Sequence, residues 1–242
     1  MHLIALHDRA GWLYNGPKFL YMEFLYFSSQ VVLAFLIPVI KVDKRIGPHN
    51  SDVISVLVGS LLGDGYAERS LTGGIKFKFR QSIKHKAYLF WLYEFFNSRG
   101  YCTNNLPIYF VQKYGEKLYE AYRFNLYSFA SFLWLYKLFY NNNKKKVIPA
   151  NIADYLTPLA LAIWIMDDGI WKSPGVRIAT NCFTLAEVEL LKLALENKFN
   201  IISSIHKNNQ SYQLYIKQES IALLKNLILP YVHESMLYKL GL

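Results

Sequence analysis

Two apolar stretches, residues 57–65 (LVGSLLGDG) and 161–169 (LAIWIMDDG), each read as a helix that stops on an acid followed by glycine. The second acid, Asp168, follows the first, Asp64, by 104 residues in a chain of 242. A recurrence at nearly half the chain length constrains the fold to an internal duplication with one acidic helix end per half. The placement is electrostatically unfavourable, because a carboxylate at a helix C-terminus lies beside carbonyls that already carry the negative end of the macrodipole. Two such acids in matched contexts point to a cation.

The rest of the chain from residue 51 follows the same two-part plan. Residues 41–50 are polar and contain a Gly47-Pro48 breaker, after which Ser51 or Asp52 can cap the first motif helix. Residues 75–80 (IKFKFR) alternate strictly between apolar and basic, a period that only a strand satisfies. One face of that strand buries Ile75, Phe77 and Phe79. The other presents Lys76, Lys78 and Arg80, which suits either an ordinary solvated sheet face or a ladder that follows a phosphate backbone and reaches base edges in a major groove. Ser82 caps a helix through Ser98, residues 101–125 read as a hairpin with Gly115 near its turn, and a helix follows over about 128–140. The tract NNNKKKVIPAN, residues 141–151, is the linker. The order then repeats: a motif helix over about 155–168, a strand pair around 171–181, a helix opened by the capping box Thr184…Glu187, strands near 201–206 and 212–217, and closing helices. The expected fold class is α+β, two pseudo-symmetric αββαββα repeats over residues 51–145 and 146–242, preceded by a leader, residues 1–50.

Charge and cysteine content narrow the partners. A net charge of +10 favours a polyanion. Two cysteines, Cys102 and Cys182, make no disulfide framework and have no metal-ligand spacing, so both are expected in the core of a protein kept in a reducing compartment. None of the six histidines has nucleophile, base or zinc spacing, and no glycine loop of the phosphate-binding kind occurs.

Residue by residue, the two stretches resemble the LAGLIDADG motif. Leu57, Gly59, Asp64 and Gly65 hold its Leu, first Gly, last Asp and last Gly, with Gly63 in place of the second Ala; Leu161, Ala162, Asp168 and Gly169 match in the second copy, where Ile163 replaces the first Gly and Asp167 the second Ala. Flanking segments agree: YLTPLALAIWIMDDG through the second acid, TLAEVELLKLALENKF after it, and SMLYKL near the end. From about Asn50 onward the chain is similar to the single-chain, double-motif branch of the LAGLIDADG homing endonucleases and their maturase relatives.

That resemblance implies two motif helices packed side by side, with Gly59 and Gly63 on one and Ala160 and Ala162 on the other permitting close approach. Asp64 and Asp168 would then meet beneath bound DNA and bind Mg²⁺ or another divalent cation, each acid serving one strand, with the carbonyls of Gly63 and Asp167 as further ligands and Asp168, directly before glycine, as the catalytic acid rather than Asp167. Lys146, in competition with Lys145, and Lys239 resemble the basic residues that double-motif relatives place beside the acids; they follow Asp64 by 82 and Asp168 by 71 residues. Candidate DNA contacts are Arg69, Lys76, Lys78 and Arg80 in the first repeat and Lys172, Arg177 and Asn181 in the second.

The implied activity is a phosphodiester hydrolase, an intron-encoded endonuclease that makes a metal-dependent double-strand break in double-stranded DNA at the intronless allele and acts as a monomer. A second reading is a maturase that binds its host intron RNA and assists splicing, alone or alongside cleavage. MHLIALHD at the start resembles a stretch of mitochondrial cytochrome b, which points to in-frame translation from an upstream exon and to a mitochondrial location. Residues 19–40 are long and apolar enough to cross a bilayer but are interrupted by Glu23, Ser28, Ser29, Gln30 and Pro38; a third reading, a membrane protein with a basic domain, rests on them alone. No cleavable signal or Arg-rich transit pattern is visible.

Overall fold

The computed structural model describes residues 48–71 and 73–242. Residues 1–47 of the expected leader, with the apolar stretch 19–40, lie outside the described residues, and among those described no helix is long and apolar enough to cross a membrane.

Helix α1, Ser51–Leu62, opens the first repeat with Asn50 as its N-cap, one residue ahead of the expected caps. Nine of its twelve residues are buried, including Ser55, Gly59 and Ser60. A helix enclosed on nearly all sides belongs at the centre of a fold. Strands β1 (Tyr66–Arg69) and β2 (Ile75–Ser82) follow; β2 buries Ile75, Phe77 and Phe79 and turns Lys76, Lys78 and Arg80 outward, as its alternation predicts. Ser82 Oγ accepts from the Lys84 N–H and opens a 3-10 turn, Ile83–His85, that leads into α2, Lys86–Asn97. The hairpin of β3 (Ile108–Tyr114) and β4 (Lys117–Asn125) and helix α3 (Leu133–Phe139) complete the repeat.

The second repeat enters differently from the single helix expected over 155–168. A short helix α4, Ile152–Tyr155, stops at Leu156, and α5, Pro158–Asp168, restarts with Thr157 Oγ1 accepting from the Ala160 N–H and proline at the first turn. Proline pre-sets the φ of a first turn and has no N–H to lose there, so the chain breaks where Thr-Pro allows a fresh cap. Strands β5 (Gly169–Lys172) and β6 (Gly175–Ala179) and helix α6 (Leu185–Phe199) follow, the last opened by the Thr184–Glu187 capping box. Strands β7 (Ser203–Asn208) and β8 (Ser211–Ile216), helix α7 (Ile221–Ile228) and the 3-10 segment Glu234–Leu240 close the chain.

Each repeat forms one antiparallel four-stranded sheet, in the orders β1-β2-β4-β3 and β5-β6-β8-β7. Identical order and sense in both halves make the duplication visible. Tyr66, one residue after Gly65, pairs with Lys78, while Gly169 pairs with Ile178 and Ile170 with Arg177. Lys76, Lys78, Arg80 and Gln81 of β2 thus correspond to Gly175, Arg177, Ala179 and Thr180 on and just after β6.

Helices α1 and α5 pack against each other at the junction of the repeats. A Cβ on Gly59 would stand 2.4 Å from the Ala160 carbonyl oxygen and 2.7 Å from Ile163 Cβ, so only hydrogen fits there. Val56, Leu57, Leu61, Leu161, Ile163, Trp164 and Ile165 of these two helices are each at most 1 % exposed and belong to the buried core. Burying an aliphatic side chain fully contributes ~1.5–3 kcal/mol. The motif helices are therefore the core as well as the scaffold of the acids.

Candidate active site

Helix α1 ends at Leu62, two residues short of Asp64, whereas α5 runs through Asp168. The early end follows from the local bonds: the Gly63 N–H reaches Gly59 O, and the Gly65 N–H takes Ser60 O at 2.7 Å, the acceptor that a continuing helix would offer Asp64. The freed Asp64 N–H is picked up across the interface by Asp167 Oδ2 at 3.2 Å. Gly63 makes room for this, since a Cβ on it would stand 2.5 Å from Asp167 Cβ.

The two helix ends bring Asp64, Asp167 and Asp168 into one neighbourhood. Asp64 is exposed and Asp168 half-buried. Burial, reinforced by the charge of Asp64, pushes the Asp168 carboxyl up to about 7. Asp167 is raised well above the usual carboxylate range, first by burial and then by the charges of Asp64 and Asp168. Its carboxylate also accepts from Tyr88 Oη at 3.0 Å and from Gln81 Nε2 at 3.3 Å.

Two lysines cap the helix ends. Lys146 Nζ donates to Gly63 O and Lys239 Nζ to Asp167 O, each at 2.7 Å. Each ammonium thus lies on the carbonyl of the residue just before an acid, where it offsets the negative end of the helix. An isolated bridge pairing Tyr140 with Lys146 fixes the phase of the 144–146 lysine run, so Lys146 points to the site and Lys145 stays exposed. Burial lowers the pKa of both Lys146 and Lys239, opposed by the surrounding acids.

The carbonyls of Gly63 and Asp167, expected from the sequence as cation ligands, each accept one lysine ammonium and keep a second lone pair. Beside them stand the carboxylates of Asp64 and Asp168, and among the described residues no group of three or more His, Cys, Asp or Glu is arranged to hold a metal ion. Two carboxylates whose charges oppose each other still suit a hard divalent cation, because Mg²⁺ commonly takes one or two protein carboxylates and completes its shell with water and substrate phosphate.

Sequence reasoning missed four residues here. Gln81 Nε2 donates to Asp64 Oδ2 at 2.9 Å, His85 Nδ1 lies 3.1 Å from Gln81 Oε1, Tyr238 Oη lies 3.1 Å from His85 Nε2, and Tyr88 binds Asp167. The signal for Gln81 was available: it continues the buried phase of β2 after Ile75, Phe77 and Phe79 and is the polar exception. A second correction concerns Cys182, expected in the core. It is exposed, its thiol pushed up first by partial burial and acted on by the charges of Lys146 and Asp168, while Cys102 is buried.

Asp64, Tyr66, Lys76, Lys78, Arg80 and Arg123 line one groove of about 1110 Å³. Arg80 and Arg123 are cross-strand partners, and both guanidinium groups lie on the Phe110 ring, at 4.8 and 5.0 Å from its centre. Lys78 pairs with Glu68 at 2.7 Å. Arg69 is exposed at the end of β1, outside the lining of this groove. Lys172 is exposed and Arg177 half-exposed on the second sheet, while Asn181 is exposed in the turn after β6, its Oδ1 accepting from Ser211 Oγ.

The profile of the LAGLIDADG DNA endonuclease family matches residues 54–224. The cytochrome b mRNA maturase bI2 of Saccharomyces cerevisiae is 39% identical over 210 residues, 82% of this chain and 49% of the yeast protein, so the chain spans about half the length of that relative. The intron-encoded endonuclease ai4 of Dictyostelium discoideum is 45% identical over 157 residues, 62% of this chain and 99% of its own. Among solved structures, the homing endonuclease I-WcaI bound to its DNA recognition sequence superposes with a TM-score of 0.75 at 27% identity, covering 85% of this chain and 94% of the other.

Proposed function

The chain belongs to the LAGLIDADG DNA endonuclease family, and from that premise we propose that it is a site-specific, Mg²⁺-dependent DNA endonuclease of intron homing that cuts both strands of an intronless target. The observation that carries this reading is the paired geometry of the helix ends: two acids, each preceded by a carbonyl that accepts a lysine ammonium. The likeness to a homing endonuclease solved on its recognition sequence supports duplex DNA as the partner.

Asp64 and Asp168 would hold divalent metal through their carboxylates, each acid serving one strand. The chemistry such an ion supplies when bound is a lowered pKa for water and neutralisation of charge on the leaving 3′ oxygen. Lys146 and Lys239, fixed by their carbonyl acceptors, place positive charge where the attacked phosphate gains negative charge. Gln81 orients the Asp64 carboxylate. Lys76, Lys78, Arg80 and Arg123 line the groove that leads to Asp64 and would neutralise phosphates or meet base edges; Arg69, Lys172, Arg177 and Asn181 would extend the contact along the two sheets.

A second reading, splicing assistance to the host intron RNA, is supported by 39% identity to a protein named as a cytochrome b mRNA maturase. The same likeness, with MHLIALHD at the start, supports a mitochondrial cytochrome b intron as the source and the mitochondrion as the location.

The test is cleavage of duplexes spanning intronless cytochrome b junctions. Asp64→Asn and Asp168→Asn each abolish double-strand cleavage in Mg²⁺ while leaving site-specific binding within about threefold, since phosphate contacts and not the acids supply most affinity. Full cleavage by either variant refutes the assignment. Tight binding of intron RNA, with no wild-type cutting of any junction, replaces the nuclease reading by the maturase one.

A further inference from the structure

The two acids sit in unequal surroundings. Asp64 has its backbone N–H held by Asp167 Oδ2 and its Oδ2 held by Gln81, which also reaches Asp167 Oδ1. Tyr88, fully buried, donates to that same Oδ1. Gln81 is held in turn by His85, and His85 by Tyr238 from the closing 3-10 segment of the other repeat.

Nothing equivalent surrounds Asp168. The position matching Asp167 on the first motif helix is Gly63, which has no side chain to reach across. The position matching Gln81 is Thr180, whose buried hydroxyl donates to Tyr212 O within its own sheet. The Asp168 N–H stays inside α5, and among the described residues its carboxylate has no hydrogen-bond partner.

We propose that the two strand-cutting centres are inequivalent, and that Asp167 and Gln81 are positioning residues for Asp64 alone. The inference rests on the endonuclease reading and adds to it a difference between strands. A centre whose carboxylate is fixed before substrate arrives has less reorganisation to complete, so the strand served by Asp64 is cut first and a nicked duplex is the intermediate.

The experiment uses the full chain, a supercoiled plasmid carrying one target, and a target duplex labelled on either strand, with enzyme in excess and Mg²⁺ present. Wild type gives unequal rates on the two strands. Asp167→Ala, which restores the small residue usual at this motif position, and Gln81→Ala each slow the favoured strand about tenfold or more, within the hundredfold that an ångström of misplacement produces, and leave the other strand's rate unchanged. Tyr88→Phe, which keeps the ring in the core and removes only the hydroxyl bond, moves the strand ratio in the same direction and serves where Asp167→Ala does not fold. Thr180→Val leaves the ratio unchanged. Equal strand rates in wild type, or variants that slow both strands by one factor, overturn the inference while the nuclease reading stands. A wild type that cuts neither strand overturns both.

Discussion

Replacing Gly59 by alanine sets two effects of known size against each other. In a helix interior alanine is favoured over glycine by ~1 kcal/mol, so helix propensity alone makes Gly59→Ala stabilising. The new Cβ, however, would lie 2.4 Å from the Ala160 carbonyl oxygen and 2.7 Å from Ile163 Cβ. Ordinary contact begins near 3.4 Å, so the helices must part by about 1 Å, and the obstacle is backbone rather than the tip of a flexible side chain. Overpacking of this kind costs ~1–3 kcal/mol. Taking the upper end for a backbone obstacle, the net is a loss of about 2 kcal/mol, or ~4–8 °C in melting temperature for a domain of this size. Separation at Gly59 also shifts Asp64 relative to Asp168, so cleavage falls further than stability, by as much as ~100-fold. Thermal unfolding by circular dichroism and single-turnover cleavage below the melting range measure the two separately. A variant with unchanged or raised melting temperature and wild-type cleavage refutes the close packing of the motif helices.

Two other outcomes follow from charge. Changing Lys76, Lys78 and Arg80 together to Ala lowers the slope of log affinity against log salt by about 2–3, at ~0.9 per lost phosphate contact, without unfolding the domain; equal slopes place that face away from nucleic acid. The Asp168 carboxyl titrates at about 7 in the fold against an ordinary 3.8, so the folded state holds its proton more tightly than the unfolded chain does. Its contribution to stability is therefore full below about pH 4 and is lost as pH rises through about 7. In metal-free buffer the melting temperature of wild type falls between pH 5 and 8 more than that of Asp168→Asn, whereas cleavage in Mg²⁺, which needs the ionised carboxylate, rises over the same window. Identical pH dependence of melting in the two proteins refutes the shift.

The elements that sequence made legible are those whose signal is local. The strict alternation of residues 75–80 could only be a strand, and Thr184…Glu187 could only open a helix. The Thr157-Pro158 break was equally local but lay inside a continuous apolar run whose helical period masked it. The site itself was half legible. Asp64, Asp168, Lys146 and Lys239 are marked by motif and spacing, but what each touches is set by partners far away along the chain. That Gly63 O and Asp167 O accept ammonium groups depends on residues 83 and 72 positions away. Cys182 looked like a core thiol because nothing in its neighbourhood announces Lys146. In the lysine run every residue is chemically alike, and only the bridge at Tyr140 selects one.

The residues at matching register on the two central strands differ in a way that bears on the proposed target. On the first repeat they are Lys76, Lys78 and Arg80; at the corresponding register of the second they are Gly175, Arg177 and Ala179. On the proposed reading, three long cationic side chains face one half-site and one faces the other, so the two halves of the target cannot be inverted copies of a single word. On that reading the duplicated fold would read an asymmetric sentence. Either half can be rewritten by exchanging the outward side chains of one strand, with the inward-facing core residues, and so the other half, left as they are.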